Sequence, residues 1–194
     1  MKNSKIVKKT ILFSKFGKIF TKKKLKMSDG RFLDWYYLDT PRSVIIIPLT
    51  VSGKLVLIKQ YRYNLKKYVY ELPAGTADFG GLNYLQNAKI ELLEETGYEP
   101  QKLIDLGKYY NLPSETNRWT KIFLAENCVR VGKPKHDNII EKYFDMSIVL
   151  KNFDDVTGSI GKKGSIIESI EHSFALILAK KYLQGINPNK NINS

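Results

Sequence analysis

The chain has 194 residues with 43% hydrophobic content, enough for one globular domain with a buried core and an extension, and too few for two full domains. Its net charge of +13 favours anionic partners in general, which covers nucleotides, nucleic acid and membrane surfaces. A single cysteine, Cys128, excludes an internal disulfide and points to a reducing, cytoplasmic setting, and no apolar run approaches the roughly 20 residues of a membrane span.

Much of the excess charge is local, because the first 28 residues hold ten lysines and no acid. Residues 1–10 read as a loose lead. From Lys8 to Lys26 apolar and basic residues intermix, with Ile11, Phe13, Phe16, Ile19, Phe20 and Leu25 among the lysines. Ile11-Leu12-Phe13 is too short for a signal-peptide core. Ser28-Asp29-Gly30-Arg31 is a turn signal, and aromatic-rich Phe32 to Leu38 reads as the returning strand. Residues 1–40 therefore form a basic antiparallel β arm. Lysine-decorated strands protect edges against aggregation, and the same mixture of aromatic and basic residues also suits RNA.

Residues 41–186 carry the main domain. Ser43 to Leu49 is a near-continuous apolar run, the pattern of a strand buried on both faces. Ser52-Gly53 turns it into Lys54 to Tyr61, with Leu55, Leu57 and Lys59 on one face, so the two read as a central hairpin. Gln60-Tyr61-Arg62 ends that strand, and Tyr68-Val69-Tyr70 is the next strand-like run. The tight loop Leu72-Pro73-Ala74-Gly75 follows, and then a helix of about a dozen residues. Leu85, Ala88 and Leu92 form its apolar stripe, while Glu91, Glu94 and Glu95 at i, i+3 and i+4 crowd one arc beside it. Gly97 stops the helix as a left-handed cap. Like charges at this spacing repel by roughly 0.2–0.5 kcal/mol per pair, which a hard divalent cation among the oxygens would relieve. A solvated acidic face is the bland alternative.

Beyond the helix, Leu103 to Tyr110 and Arg118 to Cys128 read as strands around a polar loop, Asn111 to Asn117. Gly132 to Asp137 is a charged turn and Ile139 to Phe144 a short strand, followed by an irregular stretch through Lys163. Ser165 to Leu183 reads as the closing helix, with Ile166, Ile170, Phe174, Ile177 and Leu178 at helical spacing. Residues 187–194 are an Asn-rich, frayed tail. His136 and His172 lack metal-ligand spacing, so each reads as a satisfied or exposed histidine.

The order strand, loop and acidic helix resembles the Nudix box. Glu91-Leu92-Leu93-Glu94-Glu95-Thr96-Gly97 fits the end of its pattern without a gap. Glu71-Leu72-Pro73-Ala74-Gly75, with Gln60-Tyr61-Arg62 just upstream, looks like the ADP-ribose pyrophosphatase branch. The middle departs from the pattern. Gly81 stands where the box has Glu, Ile90 stands where it has Arg, and one residue is inserted within Phe79 to Leu82. The missing pair normally braces loop against helix, and we expect Ile90 and Leu82 to replace it by an apolar contact. Leu112-Pro113-Ser114 stands where the family usually has Ser-Pro-Gly.

The resemblance implies an α+β fold, a Nudix-type α/β/α sandwich with a mixed sheet behind the N-terminal arm. It implies Mg²⁺-dependent hydrolysis of ADP-ribose or a related nucleoside diphosphate sugar to a nucleoside monophosphate and a sugar phosphate, with Mn²⁺ as a substitute metal. Glu91, Glu94 and Glu95 would be the catalytic and metal-binding carboxylates, joined by the Ala74 carbonyl. Arg62, Glu71, Trp35 and Glu115 would meet substrate, with Arg62 on the diphosphate and Trp35 stacked on adenine. Trp35 reads nearly as well as a core residue. Asp137, Glu141 and Glu115 are the candidates for a general base. A homodimer through the arm is implied and no membrane partner. The alternatives are cleavage of capped RNA with help from the basic arm, which is less favoured, and a non-catalytic nucleotide-binding module.

Overall fold

Three consecutive isoleucines set the layers of the larger unit. In β4 (Ser43–Thr50) side chains alternate between faces. Ile45, Ile47 and Leu49 enter one core, and Val44 and Ile46 enter another. β5 (Lys54–Arg62) does the same, with Leu55 and Leu57 on the first side and Val56 on the second. So does β10 (Trp119–Arg130), through Ile122 and Leu124 against Phe123 and Ala125. A sheet buried on both faces needs helices on both. The second core is closed by Ala88 and Leu92 of α1 (Tyr84–Thr96). The first is closed by Phe153 and Val156 of α2 (Phe153–Ser159) and by Ala175, Leu176, Leu178 and Ala179 of α3 (Ile170–Leu183).

The computed structural model describes residues 4–77, 83–135 and 145–186. They fall into two compact units, Met1–Arg42 with Tyr110–Thr120, and Ser43–Tyr109 with Lys121–Ser194. In the second, the eight-stranded sheet runs β11-β5-β4-β10-β8. Here β8 is Tyr98–Glu99 and β11 is Ser147–Asn152. Alongside that path β6 (Lys67–Glu71) pairs with β5, β7 (Ala74–Thr76) with β4, and β9 (Lys102–Tyr110) with β10. The architecture is the mixed-sheet α+β sandwich, preceded in the chain by an antiparallel arm, that the sequence implies. No helix among the described residues is long and apolar enough to cross a membrane.

The first unit is a three-stranded antiparallel sheet of β1 (Lys5–Lys15), β2 (Lys18–Lys26) and β3 (Phe32–Asp39). Strand structure begins at Lys5, so the expectation of a loose lead over residues 1–10 is corrected; pairing with β2 takes up its backbone groups. Tyr110–Thr120 ties back to β3 by backbone bonds, Leu38 N–H donating to Glu115 O at 2.8 Å, and by Asn117 Nδ2 on Asp39 Oδ1 at 2.6 Å.

Three other expectations are corrected. The stretch after Asp145 is regular, containing β11 and α2, whose first turn is held by Asn152 Oδ1 accepting from Asp154 and Asp155 N–H. The closing helix starts at Ile170, not Ser165, because Ser169 caps it. Its buried face is His172, Ala175, Leu176, Leu178 and Ala179, while Ile170 is 87% exposed. In α1 Leu85 is exposed, and Asn87 and Thr96 join Ala88 and Leu92 inside. The expected strand Ile139 to Phe144, His136, and the tail 187–194 lie outside the described residues.

Cys128 is buried in the second core, and burial pushes its thiol up to about 12. The thiolate is the reactive form, so the folded protein should resist a thiol-exchange reagent at neutral pH and react once denatured. Stoichiometric labelling of the native protein would contradict this placement.

Candidate active site

The loop expected to carry the chemistry is anchored from three sides. β7 pairs with β4 at Ser43–Thr76, Val44–Gly75 and Ile45–Ala74, and Ile46 N–H donates to Pro73 O at 2.9 Å. From α3, the buried His172 accepts the Leu72 N–H on Nδ1 at 2.9 Å. From α1, Glu95 Oε2 accepts the Ala74 N–H at 2.9 Å. Helix α1 itself is fixed at both ends. Asn83 and Gln86 form a reciprocal capping box, and Gly97 closes the helix at φ 74° with its N–H on Leu93 O. A side chain at Gly97 would also meet Gly132 O at 2.4 Å.

Glu91 lies over the same loop. A Cβ built on Gly75 would stand 2.0 Å from the Glu91 carboxyl carbon, so only glycine admits this approach. Gly75→Ala should therefore displace Glu91. The obstacle is the end of a flexible side chain, so the stability cost should be at the low end for overpacking, about 1 kcal/mol. Hydrolytic rate should fall more than tenfold. Thermal melts and initial rates check both, and an unchanged rate would detach Glu91 from the chemistry.

Glu91 and Glu95 are half-buried and Glu94 is exposed. Two of the three carboxylates meet the Ala74-Gly75 loop, and Glu94, at the next position round the helix, is exposed. Among the described residues no group of three or more His, Cys, Asp or Glu side chains could hold a metal ion. The donors at the loop still suit Mg²⁺. They are hard oxygens, and Mg²⁺ commonly takes one or two protein carboxylates while keeping waters and substrate phosphates.

Glu71 and Arg62 are brought together. Gln60 and Arg62 lie on the face of β5 that holds Ile58, and register sets Glu71 opposite Ile58. Arg62 Nη2 donates to Glu71 Oε2 at 2.6 Å, its Nε reaches both carboxylate oxygens, and Gln60 Nε2 donates to the same Oε2. Glu71 is largely buried and Arg62 half-exposed, so the guanidinium expected to face a diphosphate is oriented by this carboxylate. Ile90 is exposed and does not supply the expected buried contact, because it sits on the outer side of α1. Gly81, Leu82, Asp137 and Glu141 lie outside the described residues.

Trp35 lies in the smaller unit. With Lys23, Tyr37, Tyr110, Asn117 and Trp119 it lines a hollow of about 520 Å³. Trp119 carries Arg42 over its ring at 5.3 Å. Glu115, in the adjoining loop, is exposed. Neither Trp119 nor His172 announces a place at the site through its sequence context. A tryptophan in a strand reads as core, and the His172 bond spans one hundred residues.

Residues 39–154 match the model of the NUDIX domain, more than half of the chain. The protein belongs to the Nudix family. An ADP-ribose pyrophosphatase of Bacillus subtilis is 30% identical over 102 residues, which is 53% of this Nudix chain and 55% of that relative's length. An uncharacterized Nudix hydrolase of Schizosaccharomyces pombe is 32% identical over 155 residues, covering 75% of this chain and 74% of its own. A crystal structure of an ADP compounds hydrolase superposes with a TM-score of 0.79 over 96% of this chain and 97% of that one, at 20% identity, a likeness of fold.

Proposed function

We propose that this Nudix protein hydrolyses the pyrophosphate bond of ADP-ribose or a related nucleoside diphosphate sugar, using Mg²⁺. The observation that carries the reading is the placement of two α1 carboxylates, Glu91 and Glu95, on the Ala74-Gly75 loop. Pyrophosphate cleavage needs charge neutralisation and positioning more than covalent chemistry. Glu91 and Glu95, with the Ala74 carbonyl, would hold the metal. When bound, Mg²⁺ neutralises phosphate oxygens and lowers the pKa of an attacking water. Mn²⁺ offers the same oxygen preference.

The chain's own residues do the rest. Glu95 fixes the loop through Ala74 N–H, so its carboxylate and the backbone move as one. Glu71 holds Arg62 in a planar fork, the geometry that grips a diphosphate. Glu94, exposed one position from Glu95, is left to orient water. Trp35 and Trp119 offer aromatic faces to a purine. The names of the Bacillus subtilis and Mycobacterium tuberculosis relatives, both ADP-ribose pyrophosphatases, support the substrate class. A homodimer through the arm accompanies this reading, and Glu115 belongs with the substrate contacts.

The test is direct. ADP-ribose incubated with the protein and Mg²⁺ should give AMP and ribose 5-phosphate, and a chelator should stop it. Absence of AMP, with a panel of nucleoside diphosphate sugars also intact, overturns the reading. Calorimetric binding without turnover would mark a non-catalytic module.

A further inference from the structure

The arm presents a sheet face whose charges are arranged against its own folding. Across the β1–β2 ladder lysine stands opposite lysine four times, Lys5 with Lys26, Lys8 with Lys24, Lys9 with Lys23 and Lys15 with Lys18. Like charges directly opposed destabilise a sheet. Lys18, Lys22, Lys24 and Lys26 are separated by even numbers of residues along β2, and residues opposed in an antiparallel pair share a face. The Lys5–Lys26, Lys8–Lys24 and Lys15–Lys18 pairs therefore crowd one side, while Lys9 and Lys23 lie on the other, where Asp39 meets Lys9 at 3.5 Å. Asp34 is the only carboxylate that register puts there among the described residues, and Lys22 holds it at 2.6 Å.

Four aromatic residues lie between the lysine rows. Phe13 is opposite Phe20, Tyr36 opposite Lys22, and Phe32 opposite Lys26. Their exposures are 59% for Phe13, 42% for Phe20, 48% for Tyr36 and 57% for Phe32, so they are not core. Phe20 and Tyr36 stand side by side with ring planes 27° apart and centroids 6.2 Å apart. Lys22 sits over Tyr36 at 5.6 Å and Lys24 over Phe32 at 4.9 Å.

We propose that this face binds single-stranded nucleic acid, independently of the hydrolase reading. Phosphates relieve the opposed lysines, and bases stack on the exposed rings; both contacts tolerate any sequence. A second copy of the same face is disfavoured, since each copy would bring several lysines and one carboxylate to the contact, so a homodimer through the arm would have to use its other surfaces. An anionic bilayer would take the lysines but would set mid-strand rings, flanked by lysines, against polar headgroups.

Fluorescence anisotropy of the full chain with labelled oligo(U) and oligo(dT) of about 12 nucleotides tests this, a length spanning one such platform. Binding should weaken with salt, with a slope of about −3 to −4 in log K against log salt for roughly five phosphates held. Phe20→Leu with Tyr36→Leu should bind at least tenfold more weakly at the same slope. Lys8→Glu with Lys24→Glu should flatten the slope by about 1.4, two phosphate contacts' worth. Circular dichroism confirms folding, and Phe20→Leu alone replaces the double variant if that fails. No binding at low salt, parental affinity in the leucine variants, or capture by phosphatidylserine vesicles with oligonucleotides ignored would each overturn the proposal. So would sedimentation giving a dimer that the Lys8→Glu, Lys24→Glu variant dissociates and that excludes oligonucleotide.

Discussion

Glu95→Gln should lower the rate of the proposed ADP-ribose hydrolysis by about 10²–10³-fold, or roughly 3–4 kcal/mol of transition-state stabilisation. The amide oxygen of glutamine can still accept the Ala74 N–H, so the loop should keep its place and the melting temperature should barely move. What is lost is one negative charge from the proposed metal site, and the Mg²⁺ concentration for half-maximal rate should rise with it. Glu95→Ala removes the acceptor as well and should cost about 1 kcal/mol of stability in addition. Glu94→Gln is the discriminating control. It is exposed and off the loop, so its loss should stay below tenfold. If Glu94→Gln were the more damaging change, the assignment of the metal to Glu91 and Glu95 would be wrong.

The elements that were legible in the sequence are those whose local and global preferences agree. Ser43 to Leu49 is apolar at every position but its first because both faces of β4 are covered, and Gly97 ends α1 because a left-handed residue was needed there. The turn between β1 and β2 hides better. Phe16 and Gly17 both take positive φ, 52° and 71°, which a two-residue hairpin turn demands, but phenylalanine is not the residue that announces it. The start of α3 hides for another reason. Ile166 and Ile170 continue the helical period, yet Ser169 is the cap and Ile170 lies outside the core. Asn152 followed by Asp154 and Asp155 was a readable helix start that the surrounding polar residues obscured.

At the site, residue types were legible and partnerships were not. Spacing along α1 puts Glu91, Glu94 and Glu95 on neighbouring arcs, but their division depends on where β7 crosses the helix. Glu71 reads as a substrate contact until register places it opposite Ile58, in line with Gln60 and Arg62. A loop motif names its members without naming what holds them.

His172 should be the support on which that loop's stability depends most. Its Nδ1 is the acceptor of the buried Leu72 N–H, two residues before Ala74. His172→Phe fills the space and removes the acceptor, which should cost about 2 kcal/mol, or roughly 4–8 °C in melting temperature for a chain of this size. The imidazole must be neutral to accept, and burial, the largest cause, holds its pKa below the ordinary value of 6.5. Glu71 and Glu171 oppose that shift without cancelling it. The unfolded chain takes up the proton near 6.5 while the folded chain does not, so the unfolded state binds more protons in that window. The contribution is therefore complete above 6.5 and is lost as pH falls from 6.5 through the depressed folded value. His172→Gln keeps an acceptor and cannot titrate. Its stability should decline less steeply than the parent's below pH 6.5, and the difference between the two curves isolates this side chain from every carboxylate. Parallel curves would mean that His172 is accessible to protons in the fold, and that the Leu72 bond does not govern the loop.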